Sequence, residues 1–292
     1  MRNSFTYYLT LIILQLKGIK KSFSVSPIDY LKLRENDIYS PKGKFYQTNT
    51  ISTFSILDSK ITHVKIHESD KLILFFHGGG FVAGPGQHHW DFIEFLSKKT
   101  NFNIWMCNYP KAPENKIDQI ALNIDEIYNE AIKHYNSENI FLMGDSAGGT
   151  LAIALTQRLI MKKIKIPSKL LLISPVLDAS LKNTAIDKMD KKDKMLSKIG
   201  VLSAKSMCSD NLNDHRISPI NGEFQNFPKT YLFIAEHDIT FPDQLIFAEK
   251  LNSENVEKQV IIGTKMPHIW LLLPIMKEAK VARNQIIDCL NE

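Results

Sequence analysis

The chain has 292 residues, 44% of them hydrophobic, with 36 basic and 31 acidic side chains and a net charge of +5. At this length a fold buries roughly three quarters of its unfolded surface, so it needs no disulfide or metal to hold it. The small positive excess is spread along the chain, and no dense basic cluster or reading motif marks a nucleic-acid binder.

The first distinctive stretch is an apolar run over residues 7–16, broken by Thr10 and Gln15 and preceded by Arg2. It is well short of the ~20 apolar residues a spanning helix needs. Lys17, Lys20 and Lys21 follow it, with no small-residue cleavage site. The first reading is an apolar-faced helix packed on the body of the protein. Weak interfacial membrane contact is the second, and a cleaved signal the third. Residues 51–56 and 61–66 alternate with period two around turn residues 57–60, which predicts a hairpin.

Beyond the hairpin the pattern changes. Short apolar runs at 72–76, 102–107, 140–143, 170–173, 231–235 and 259–262 alternate with helical patterns such as 118–135 and 147–161. Strands apolar on both faces belong to a parallel sheet covered on both sides, so the class is α/β. Residues 180–218 contain no strand run, and the mixed charges at 187–198 read as a solvated face. An insertion there would lie above the carboxyl edge of the sheet, where open α/β folds bind ligands. The three cysteines, Cys107, Cys208 and Cys289, are widely spaced with no C-x-x-C pair. They suggest neither a zinc site nor a disulfide framework and fit a reducing, cytoplasmic setting, with membrane association as the alternative. Cys107, inside an apolar run, reads as a core thiol.

Two motifs carry chemistry. His77-Gly78-Gly79-Gly80 follows the run at 72–76 directly, and three glycines let backbone N–H groups turn inward toward a ligand. Gly144-Asp145-Ser146-Ala147-Gly148 matches G-x-S-x-G between a strand run and a helical pattern, the setting that exposes a serine hydroxyl on a sharp turn. Ser146 is therefore the candidate nucleophile. An acid and then a histidine must follow it in the chain. Asp238, just past a strand run, is the acid candidate ahead of Glu236 and Asp243, the latter read as the start of a helix. His268, in the loop after the last strand run, is the base candidate. His77 reads as structural; His88, His89, His134, His215 and His237 fit the order or the setting less well.

The pair H-G-G-G and G-D-S-A-G-G closely resembles the hormone-sensitive-lipase-like esterases. Tyr109-Pro110-Lys111-Ala112-Pro113-Glu114 is similar to that family's Y-R-L-A-P-E segment, departing at Pro110 and Lys111, and Ser174-Pro175-Val176-Leu177-Asp178 is similar to its stretch after the next strand. The resemblance covers roughly residues 70–285. It implies an α/β-hydrolase fold with a mostly parallel sheet, N-terminal cap helices over residues 1–45, and a catalytic domain over 46–292 with a cap insertion near 180–218. It also implies an oxyanion hole from the N–H groups of Gly79, Gly80 and Ala147, short-chain ester substrates, and a homodimer in many members. The motifs equally fit an amidase, a peptidase or a lipase; a binding protein that lost the chemistry is the reading from another class. No cluster of ligands calls for a metal or organic cofactor.

Overall fold

A computed structural model of the chain describes residues 3–48 and 50–292. Arg2, read above as the positive flank of the N-terminal run, lies outside the described residues. Eight strands form one sheet: β1 (Ile51–Ile56), β2 (Ser59–Val64), β3 (Leu72–Phe76), β4 (Asn103–Asn108), β5 (Ile140–Asp145), β6 (Lys169–Ile173), β7 (Lys229–Ala235) and β8 (Lys258–Gly263). Their order is β1-β2-β4-β3-β5-β6-β7-β8. β1 and β2 pair antiparallel, β2 joins β4 antiparallel, and every later pairing is parallel.

The helices are α1 (Phe5–Leu16), α2 (Ile19–Ser22), α3 (Tyr30–Arg34), α4 (Gln87–Lys99), α5 (Ile117–His134), α6 (Ala147–Met161), α7 (Ala185–Asp190), α8 (Lys198–Cys208), α9 (Phe241–Ser253) and α10 (Lys277–Asn291). Alternate residues of each strand feed two separate cores, which is why the strand runs are apolar without interruption. On one face Leu74, Leu142, Leu172 and Leu232 pack with α5, α6 and α9. On the other Phe75, Met143, Leu171 and Phe233 pack with α4 and α10, and Tyr7 and Leu14 of α1 join that layer.

Three sequence expectations shift. The hairpin turn is shorter than the residues 57–60 suggested: Ile56 faces Ser59 across the ladder, so only Leu57 and Asp58 turn, and Leu57 takes φ +48°. Ser59 is drawn into β2 because its hydroxyl, fully buried, donates to Asn123 Oδ1 at 2.9 Å. The run at 259–262 forms β8, but at the sheet edge, so both of its faces are left partly exposed. Residues 180–218 carry α7 and α8 and no strand. They are less solvated than their charges suggest: Asp193, Met195 and Leu196 are buried, whereas Lys191, Lys192 and Lys194 are exposed.

The chain runs from β3 to β4 on one side and then returns to place β5 on the other side of β3. The carboxyl ends of β3 and β5 thus flank the point where the winding reverses, the position where open α/β sheets form a crevice. Both glycine motifs emerge there.

Candidate active site

Ser146 follows β5 and precedes α6 with φ 51° and ψ −119°, a strained combination for a residue with a side chain. The surroundings impose it. The Ser146 N–H donates to Ile173 O at 2.9 Å, and its carbonyl accepts from Thr150 and Val176 N–H groups. The turn is tight enough that a Cβ on Gly148 would lie 1.9 Å from Phe76 O, so only glycine fits at that position. Ala147 opens α6, whose first-turn N–H groups have no acceptor inside the helix.

The loop after β3 lies against this turn. Gly78 N–H donates to Asp145 Oδ1 at 2.9 Å, locking the two motifs together. Gly79 takes φ 120°, and a Cβ there would meet Ala83 O at 2.1 Å. Among the described residues, the N–H groups of Gly79 and Gly80 donate to no acceptor. His77 has the structural place expected of it. Its Nδ1 lies 2.7 Å from Gly78 O, its ring stacks on Tyr109, and burial holds its pKa well below the ordinary histidine range. Burial alone would raise the Asp145 carboxyl, but His89 and the Gly78 N–H outweigh it and hold it below its usual value. Gly86 N–H donates to His89 Nδ1, which leaves Nε2–H to face Asp145 at 3.3 Å.

Asp238 and His268 come together after β7 and β8. His268 Nδ1 donates to Asp238 Oδ2 at 2.6 Å, and Asp238 Oδ1 accepts from Thr240 N–H at 2.8 Å. Both side chains are buried. Their loops are stitched by Glu236 N–H to Gly263 O and His237 N–H to Met266 O. The Ser146 turn and the His268 loop share one strand end: Ile173 O holds Ser146, and Ser174 Oγ accepts from Ile269 N–H at 3.2 Å. Among the described residues, the Ser146 hydroxyl and the His268 ring make no direct hydrogen bond, and the ring's one bond is to Asp238. The competing acids are engaged elsewhere. Glu236 accepts from Lys265 N–H, and Asp243 sits in the first turn of α9 and accepts from Asn183.

Two residues beside the site carried no motif. Asp193 accepts from Met195 and Leu196 N–H groups on Oδ1 and from Ile239 N–H on Oδ2. Burial, and then the Asp238 charge, push its pKa up to about 6. The signal in the sequence is an aspartate two and three residues ahead of apolar Met195 and Leu196, a capping pattern hidden by the flanking lysines. Lys205 of α8 is fully buried with its amine 4.0 Å from the Phe81 ring centroid and no hydrogen-bond partner among the described residues. Burial lowers its pKa to about 7. Its neighbour Ala204 lies 3.4 Å from where a Gly80 Cβ would stand, so α8 rests directly on the glycine loop.

Residues 73–272 match the family model described as the α/β hydrolase fold, well over half of the chain. The chain belongs to the α/β-hydrolase family. An esterase of Acinetobacter venetianus is 30% identical over 201 residues, 67% of this α/β-hydrolase and 66% of that esterase. The chain therefore spans just under two thirds of that relative's length. A solved structure of a candidate esterase from Staphylococcus aureus superposes with a TM-score of 0.80 at 30% identity, covering 86% of this chain and 88% of that one. A bacterial hormone-sensitive-lipase-family esterase of known structure shares the fold, with a TM-score of 0.85 at 19% identity, covering 99% of this chain and 98% of that one. The hormone-sensitive-lipase-like resemblance read from the motifs is borne out by this family placement, and so is the α/β-hydrolase fold.

Proposed function

We propose that this α/β-hydrolase is a serine carboxylesterase in which Ser146 attacks the ester carbonyl. The observation that carries the reading is one strand end, Ile173-Ser174, tied at once to the strained Ser146 turn and to the loop holding the 2.6 Å His268–Asp238 pair. As the hydroxyl attacks, its proton passes to His268 Nε2 and the carbonyl oxygen takes up negative charge. The unbonded N–H groups of Gly79 and Gly80, with that of Ala147, receive that charge. The intermediate collapses, the alcohol leaves with the proton from His268, and an acyl-serine remains. Water, deprotonated by His268, then releases the acid. Asp238 keeps the proton on Nδ1, so that Nε2 is the basic nitrogen, and it stabilises the charged ring. A bond between nucleophile and base that forms only with substrate bound is common in free enzymes of this chemistry.

In this reading, the N-terminal helices and residues 180–218 form a cap over the site. Ala204 in ordinary contact distance of Gly80 places α8 of that cap beside the glycine loop. Hydrolysis of a p-nitrophenyl ester series is expected to give the highest kcat/KM between acetate and butyrate. A rise toward long acyl chains would overturn the short-chain assignment. No hydrolysis of any member would overturn the esterase itself.

Burial would lower the His268 pKa, but the Asp238 charge and hydrogen bond, with Asp193 behind them, raise it above its ordinary value. His268 must be neutral to act as base, so kcat/KM rises with pH through a midpoint above the usual histidine value of 6.5. Asp193→Asn removes one of the charges that favour the protonated ring and is expected to move that ascending limb to lower pH. A limb that stays in place would separate Asp193 from the site.

A further inference from the structure

Helix α1 turns its apolar side in two directions. Tyr7, Thr10 and Leu14 are buried against the body, and Tyr7 Oη donates to Lys265 O at 3.0 Å. The opposite face exposes Phe5 (80%), Tyr8 (49%), Leu9 (36%), Ile12 (54%) and Leu16 (82%), a continuous stripe at helical spacing. The helix is firmly mounted. Ser4 donates from N–H and Oγ to Glu278, and Lys277 N–H donates to Thr6 Oγ1. Ile275, beside that last contact, extends the apolar surface. A rigid exposed stripe of this kind marks an interaction surface rather than a scattering of single apolar residues.

One flank of α1, between its buried side and the stripe, is basic, as is the segment that follows the helix. Lys17 and Lys21 follow α1 and are exposed. A cleft of about 270 Å³ opens beside Tyr7 and Leu11, walled by Lys192, Lys194, Lys265 and His237. Among the described residues these five lysines form no salt bridge, and Asp190 is paired with Lys20. No described helix is long and apolar enough to cross a membrane, and the 12 residues of α1 extend only about 18 Å. An apolar stripe bordered by unpaired lysines fits the boundary of a bilayer that carries negative headgroups. A second copy of the chain fits it less well, because a two-fold contact through the stripe would bring the lysine rims of both copies together.

We propose that α1 and its lysine rim form an interfacial anchor that seats the protein on anionic lipid. The cleft walled by the same lysines also includes Pro267, adjacent to His268, so the anchor would hold the candidate site close to the lipid surface. The inference stands apart from the esterase reading, since it is tested by binding. The full chain is sedimented with vesicles of phosphatidylcholine alone or with phosphatidylglycerol added. The proposal expects at least about tenfold more binding to the anionic vesicles, weakened by salt. The Ile12→Glu, Leu16→Glu double variant is expected to lose at least about tenfold of that binding, with its Tm within about 3 °C of the wild type. The Lys192→Glu, Lys194→Glu variant is expected to lose the preference for anionic lipid. Protein that stays in the supernatant with both vesicle types overturns the proposal. So does a dimer in solution that the double variant turns into a monomer, because the stripe is then covered by a second copy.

Discussion

Ser146→Ala is expected to lower kcat for p-nitrophenyl acetate by at least about 10⁴-fold. The variant removes the attacking oxygen and nothing that holds the turn, because the bonds around residue 146 are made by its backbone to Ile173, Thr150 and Val176. Its Tm should accordingly move by less than about 3 °C. The pairing of a large kinetic loss with an unchanged melting curve is what distinguishes a nucleophile from a structural serine. Loss of both together would show that the hydroxyl supports the turn, and activity near that of the wild type would remove Ser146 from the mechanism.

Asp238→Asn has the second largest expected effect, a fall in kcat of about 10⁴-fold with a much smaller change in KM. Asp238 accepts the Nδ1–H of His268, and the buried amide of asparagine can present its NH₂ to that nitrogen instead. The ring then carries its proton on Nε2 and cannot accept one from Ser146. Glu236→Gln, which disturbs only the contact to the Lys265 N–H, should leave kcat essentially unchanged. If the Glu236 variant fell and the Asp238 variant did not, the acid would have been assigned to the wrong side of His237.

Much of this arrangement is legible in the sequence, for a physical reason. A covered parallel strand must be apolar on both faces, so 72–76 and 140–143 stand out as β3 and the start of β5, and glycines can follow them only where the backbone turns sharply. Where a strand is not enclosed, the signal weakens. β8 lies at the edge, and β2 begins two residues earlier than its alternation suggests because Ser59 is held by a side chain 64 residues away. Local spacing cannot report such a partner.

The same limit hides the supporting residues. Asp193 lies among lysines in the stretch read as solvated, yet three backbone N–H groups, two local and one from Ile239, draw it inside next to Asp238. Lys205 belongs to a weakly amphipathic helix, and nothing in its neighbours announces that its amine ends over the ring of Phe81. His89 belongs to no motif. Its contact to Asp145 appears only once α4 packs beside the glycine loop. The motifs therefore disclose the groups proposed to react, and the tertiary fold discloses those that set their charge and position.

The most direct test of the central claim is to treat the full chain with a fluorophosphonate and locate the adduct by peptide mass spectrometry. The account predicts a single phosphonylated serine, Ser146, and much slower labelling in the His268→Ala variant. An adduct confined to another serine, or labelling of Ser146 that does not depend on His268, would contradict it.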